Sequence, residues 1–266
     1  MMESPDTTSS AAGAVPASLS EDGFLGGRLR ILQPEKGFRA GIDSVFLAAS
    51  IPCAEGESVF EAGIGAGVAA LCLLARQPSL HVTGIEMAAR YAMLCEENAR
   101  RNGHLANLRV IRADLRDALR RDMVSMPQAG SFQHAMANPP FHDETKTTAS
   151  RNPLKSKANA FGGDDLEMWM KLLHAMLAPR GSVTLVNRAE ALGRILAVMD
   201  NRFGDIRIAP LYPRRGAPAS RVIVQGIKGS KAPLQILQGL QLHGDGNGFT
   251  PEAEAVLRGG AAFPLR

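Results

Sequence analysis

Asn138-Pro139-Pro140-Phe141 is the stretch of this chain best suited to chemistry. An exocyclic amine on an aromatic ring is a weak nucleophile, because its lone pair is delocalised into the ring. The side-chain carbonyl of Asn138 and the main-chain carbonyl of Pro139 can together accept its two N–H bonds. That arrangement holds the nitrogen in a fixed line and favours a pyramidal, more nucleophilic geometry. The two prolines stiffen the backbone and withhold two N–H donors. Phe141 offers a flat face on which a base drawn out of its helix or loop would stack. By itself the tetrad would serve equally as a Pro-rich turn leaving a sheet, so its meaning depends on what precedes it.

What precedes it is Glu61-Ala-Gly63-Ile-Gly65-Ala-Gly67, after an apolar run and before a helical one. Glycines there let the backbone approach a ligand, and the opening helix offers free N–H groups. The alternation is not the GxGxxG of dinucleotide folds, which argues against hydride chemistry. No Gly-Lys-Ser/Thr follows, which excludes a phosphate loop. Glu86, followed by Met87, closes the next apolar run, and Asp114, followed by Leu115, closes the one after. Each of these acids alone could be a solvated strand end. The alternation after an acidic strand end resembles the nucleotide-binding loop of S-adenosylmethionine-dependent methyltransferases. The resemblance implies S-adenosylmethionine as cofactor and S-adenosylhomocysteine as product, with Glu86 accepting both ribose hydroxyls and Asp114 taking the adenine amino group. The tetrad in turn resembles the Asn/Asp-Pro-Pro-aromatic motif of methyltransferases that act on amino groups of adenine, cytosine or glutamine.

The elements that must position these residues alternate between strand and helix. The pattern predicts strands over 58–61, 81–86, 108–113, 132–137 and 181–186. It predicts helices over 68–76, 88–102 and 164–177. Tyr91, Leu94, Cys95 and Ala99 share one face of the second helix, and Gly103 suits its C-cap. Asp164 can cap the third, whose stripe of Leu166, Trp169, Met170, Leu173 and Met176 reads as core. Runs 206–211 and 221–227 flank Pro213-Arg214-Arg215-Gly216, a hairpin signal. The expected fold is α/β: a Rossmann-like class I methyltransferase fold with a mostly parallel seven-stranded sheet, helices on both faces and a C-terminal antiparallel hairpin. Residues 1–22 read as a disordered tail, residues 23–266 as one methyltransferase domain, and 23–57 as a segment covering the cofactor.

A narrower resemblance rests on the segment from Gly27 through Gln33, Gly37, Arg39, Gly41 and Asp43 to Ala49, taken with Asn138–Phe141, Trp169 and Asp245–Phe249. Together these resemble the bacterial valine-tRNA adenine-N6 methyltransferases over about residues 24–260. The resemblance implies methylation of an adenine beside the anticodon, at position 37 of a valine tRNA. It also implies a cofactor role for Arg39, Gly41 and Asp43, although an ion pair at the surface accounts as well for Arg39 and Asp43. Residues 39–43 read Arg-Ala-Gly-Ile-Asp where better-known members carry Lys-Val-Gly-Thr-Asp. Protein glutamine N5-methylation is a rival, but those enzymes usually place Tyr at the position of Phe141 and carry a helical N-terminal domain. Methylation of rRNA or DNA adenine is a second rival, and a non-catalytic cofactor-binding scaffold a third.

Composition bounds the rest. The 266 residues, 45% hydrophobic and 21% charged, suit one large domain. No apolar run approaches the roughly 18 residues of a membrane span, and residues 1–27 carry no Lys or Arg and no apolar block, against a secretory signal. Cys53, Cys72 and Cys95 form no CxxC, and the histidines lack metal spacing. A cytoplasmic enzyme without metal or membrane, monomeric or weakly dimeric, is expected. The net charge of +4 permits a polyanion and does not demand one. In the polar loop after the tetrad, Lys146, Arg151, Lys155 and Lys157 read as clamps on RNA phosphates. His142 reads as pocket rim, since the methylated amine can lose its proton to solvent.

Overall fold

The computed structural model describes residues 18–120, 125–140 and 164–266. It opens with an antiparallel pair, β1 (Leu19–Phe24) and β2 (Leu29–Pro34), that forms a small sheet of its own. The tail expected over 1–22 therefore ends sooner, because Leu19–Asp22 pair with Ile31–Pro34. Composition hid this strand. Its polar side chains are held by ion pairs, Glu21 with Arg30 at 3.0 Å and Asp22 with Arg39 at 2.5 Å, and its ladder partner lies ten residues on.

After α1 (Ile42–Ala49) the chain builds β3 (Ser58–Ala62), α2 (Val68–Arg76), β4 (His81–Glu86), α3 (Ala89–Arg101), β5 (Leu108–Arg112), α4 (Leu115–Leu119) and β6 (Phe132–Ala137). Then come α5 (Asp164–Met176), β7 (Leu177–Arg188), α6 (Leu192–Met199), β8 (Phe203–Tyr212) and β9 (Arg221–Lys228). The short strands β10 (Gln235–Ile236) and β11 (Leu240–Gln241) and α7 (Pro251–Leu257) finish it. The main sheet runs β10-β8-β9-β7-β6-β3-β4-β5, with β11 also on β8. Seven full strands are present as expected, parallel except for β9, which runs against both β7 and β8. The two-residue strands β10 and β11 extend that count.

The strands read as nearly continuous apolar runs because both sheet faces are covered. Side chains alternate between two cores, as a pleat requires. Val59, Val82, Met136 and Val186 pack toward α1, α2 and α7, whereas Phe60, Ile85, Ala135 and Leu185 pack toward α5 and α6. Helix α1 escaped the sequence reading because six of its eight residues are buried, leaving no polar face to mark the period. Thr250 caps α7 by accepting the Ala253 N–H at 3.2 Å. His134, on β6, lies buried between Ser182 (2.7 Å) and Glu57 (2.9 Å), a structural role. No helix among the described residues is long and apolar enough to cross a membrane.

Candidate active site

Because β3, β4, β5 and β6 are parallel, the segments that follow them emerge at one sheet edge. That edge gathers the glycine loop after β3, Glu86 at the end of β4, Asp114 just past β5 and Asn138 just past β6. Carboxyl ends of strands are where open α/β sheets bind ligands.

The three loop glycines all hold left-handed backbone, with φ of 64°, 57° and 85° at Gly63, Gly65 and Gly67. Their reasons differ. A Cβ on Gly63 would sit 2.4 Å from the indole ring of Trp169, and one on Gly67 would sit 2.6 Å from the Cys95 sulfur. Two of the three glycines thus make room for neighbouring helices α5 and α3. Only Gly65 opens outward, and its N–H donates to Glu86 Oε2 at 3.1 Å. Gly63 nevertheless lines the pocket described below, so close packing on one side and an open face on the other coexist at that position. Trp169 is core, as its stripe implied.

The three acids occupy distinct environments. Glu86 is held by the Gly65 N–H and by the Ala88 N–H at 2.8 Å, so its carboxylate is already oriented. Burial nonetheless raises its pKa, against those hydrogen bonds and Arg90. Asp114 caps α4 by accepting the Arg116 N–H at 2.8 Å. Glu61 is buried, and its Oε2 has no hydrogen-bond partner among the described residues. Burial drives its pKa well above the usual carboxyl range, the Ala70 N–H opposes this, and the nearby Glu86 adds to it. Beside these acids, Met87 is exposed and Leu115 half-buried.

Glu61, Gly63 and Asn138 line one pocket together with Gln33, Phe38 and Ser44, to none of which sequence reasoning gave a site role. Residues of the N-terminal segment therefore form part of the wall of this pocket. Its anchor is Asn98, fully buried on the apolar face of α3, which donates to Leu32 O (3.0 Å) and Ala66 O (3.0 Å) and accepts from Leu32 N (2.8 Å). One turn later Asn102 accepts from Arg30 N (3.0 Å) and donates to Arg30 O (3.0 Å). A helical step of four residues rises about 6 Å and a two-residue strand step about 6.6 Å. The two amides can therefore act on β2 as a neighbouring strand would. An Asn at i+7 within the stripe of Tyr91, Leu94, Cys95 and Ala99 was the available signal.

Arg39 and Asp43 lie elsewhere. The Arg39 guanidinium holds Asp22, Ser20 (Nη1 to Oγ, 2.6 Å) and Pro34 O (2.8 Å), which ties the segment to β1. Asp43 pairs with Arg221 at 2.9 Å, bracing α1 on β9. Gly41 is exposed at the start of α1. The ion-pair reading is the one that this geometry supports for both charged residues. Pro139 is buried and Pro140 exposed, while Phe141, His142, Lys146, Arg151, Lys155 and Lys157 lie outside the described residues.

Burial raises the Glu61 pKa, so without a cation beside it the carboxyl is expected to keep its proton above the ordinary carboxyl range, up to the raised value. A cationic ligand favours the ionised form, so binding must expel the proton within that window and affinity must rise with pH across it. Titration calorimetry of a ligand bearing an ammonium group, in buffers of different ionisation enthalpy, is expected to show this proton release. Glu61→Gln should abolish its contribution, and identical heats in all buffers for both proteins would refute the assignment.

The chain matches known methyltransferases. The methyltransferase small domain family matches residues 39–209. The tRNA1(Val) (adenine(37)-N6)-methyltransferase of Aeromonas hydrophila is 25% identical over 189 residues, 70% of this chain and 75% of that one. Its namesake from Actinobacillus succinogenes is 23% identical over 79% of this chain and 85% of that one. The crystal structure of a predicted O-methyltransferase from Agrobacterium tumefaciens superposes with a TM-score of 0.69 at 26% identity, over 84% of this chain and 98% of that one. The fold is the Rossmann-like class I methyltransferase fold that the resemblance implied, and the chain belongs to the methyltransferase small domain family.

Proposed function

We propose that this methyltransferase uses S-adenosylmethionine to methylate the exocyclic N6 amine of an adenine in RNA, with a tRNA as the foremost substrate. The observation that carries the reading is Asn138. It lies just past β6 and lines the same pocket as Glu61 and Gly63. Support for the substrate comes from the curated relatives, whose names specify adenine 37 of a tRNA.

The residues present fit the cofactor. Glu61 supplies a buried carboxyl with a spare oxygen for an ammonium, Glu86 an oriented carboxylate for ribose hydroxyls, and Asp114 an acceptor for the adenine amine. Met87 and Leu115 flank the two outer acids. S-adenosylmethionine supplies an electrophilic methyl group on sulfur and departs as the thioether. Asn138 and the Pro139 carbonyl accept the two N–H bonds of the target amine and aim its lone pair. The methylated nitrogen then releases one proton to solvent, so no general base is required. Catalysis here is positioning and electrostatics. With its three cysteines free, we place the enzyme in the cytoplasm.

The test is incubation with methyl-labelled S-adenosylmethionine and separate pools of tRNA, rRNA, DNA and protein, followed by nucleoside analysis. Label is expected in tRNA as N6-methyladenosine. Label on protein glutamine, or on an oxygen atom of any acceptor, would overturn the assignment.

A further inference from the structure

Ala40 and Ser44 both line the pocket that holds Glu61 and Asn138. They bracket Gly41, the N-cap of α1, so the start of that helix forms part of the pocket wall. No side chain caps this helix end. The Ser44 N–H donates back to Gly41 O at 3.2 Å, whereas the Ile42 and Asp43 N–H groups have no carbonyl one turn earlier in the helix. Such a helix start favours a negatively charged neighbour. Asp43 lies in the same turn, and its pairing with Arg221 at 2.9 Å offsets its charge.

A helix start alone selects no ligand, and the side chain of Ser44 adds the selection. Ser44 is only 6% exposed, and its hydroxyl has no hydrogen-bond partner among the described residues. The neighbouring donors on the wall are already used. The Gln33 amide donates to Asp22 (2.8 Å) and to Ala40 O (3.3 Å), and the Tyr91 hydroxyl donates to Phe38 O (3.0 Å). Asn138 is assigned to the target amine. No Lys or Arg lines the pocket among the described residues. Buried polar groups are ordinarily paired, and an unpaired one destabilises the fold. Glu61 Oε2 stands in the same condition in the same pocket, as a buried acceptor without a partner. One spare donor and one spare acceptor are the complement of a carboxylate and an ammonium carried on one ligand.

We propose that the Ser44 hydroxyl, with the open start of α1, holds the α-carboxylate of the cofactor while Glu61 holds its ammonium, so that this pocket recognises the amino-acid end of the molecule. This rests on the S-adenosylmethionine reading above. Ser44 donates one charge-assisted hydrogen bond, and the first N–H groups of α1 supply the positive end of the helix in place of a cationic side chain. The pocket thereby selects against relatives of the cofactor that lack the carboxylate.

The experiment is titration calorimetry of wild type, Ser44→Ala and Glu61→Gln with three ligands. S-adenosylhomocysteine carries both charged groups, its decarboxylated counterpart carries only the ammonium, and methylthioadenosine carries neither. Ser44→Ala is expected to weaken S-adenosylhomocysteine about tenfold, the loss of one hydrogen bond to a charged group. The same variant should leave the other two ligands within about twofold of wild type, which also reports intact folding. Glu61→Gln should weaken both ammonium-bearing ligands and leave methylthioadenosine unchanged. Wild-type affinity for S-adenosylhomocysteine in Ser44→Ala, or an equal loss for all three ligands, would overturn the role of Ser44. A wild-type protein that binds methylthioadenosine as tightly as S-adenosylhomocysteine would overturn the amino-acid pocket as a whole. A wild-type protein that binds none of the three would instead overturn the cofactor reading, and this assignment with it.

Discussion

Asn138→Ala is expected to lower methyl transfer by about a hundredfold to ten-thousandfold while leaving S-adenosylhomocysteine affinity within about twofold. The side chain lines the pocket after β6 but carries no charge. Its proposed carbonyl contact strengthens as the amine nitrogen becomes pyramidal, so its loss falls on the transition state rather than on ground-state binding. Glu86→Ala should show the opposite pattern, because that carboxylate also receives the Gly65 and Ala88 N–H groups. Its removal leaves a ribose unheld and the loop unbraced, so cofactor affinity should fall about tenfold or more. Single-turnover kinetics with saturating cofactor separates the two. Wild-type rates for Asn138→Ala would refute the catalytic assignment.

The second large effect is structural. Asn98→Leu keeps the branched shape, with slightly bulkier ends, and removes the amide that serves Leu32 N, Leu32 O and Ala66 O. Two of these belong to β2 and one to the glycine loop, so one side chain fixes the cover to the floor of the pocket. Leaving buried backbone groups unpaired costs about 1–3 kcal/mol each. A loss of about 3 kcal/mol in stability is therefore expected by urea denaturation, with a clear fall in cofactor affinity. Asn98→Asp keeps the oxygen acceptor but not the donors, and should be at least as damaging because it buries a charge. A fully stable Asn98→Leu protein would show that the cover is held by packing alone.

The parts of the fold legible in sequence were those with a clean period or a breaker. The runs before Gly63 and after Gly181, the stripe on α3 and the Pro213–Gly216 turn all mark themselves locally. The β1–β2 hairpin and α1 did not. The hairpin depends on ion pairs and on Asn98 and Asn102, far away in the chain, and α1 is buried on nearly every side. At the site, the strand-end acids and Asn138 were visible because parallel strands deliver their ends to one edge. Gln33, Phe38 and Ser44 were not, since their place over the pocket comes from tertiary packing. Arg39 and Asp43 matched the family pattern, and their ion pairs with Asp22 and Arg221 are visible only in the structure. The outward role of Gly65 and the packing roles of Gly63 and Gly67 likewise look identical in the alternating motif.

The arch from Glu35 to Ala40 belongs to no strand or helix. It is pinned by the Gln33 amide, which accepts from Ala40 N at 2.8 Å and donates to Ala40 O at 3.3 Å, by the Tyr91 hydroxyl on Phe38 O at 3.0 Å, and by Arg39 on β1. Each pin contributes on the order of 1 kcal/mol, and the exposed ion pair less. Fastenings of that size can be loosened one at a time, which lets this stretch vary without disturbing the sheet beneath it.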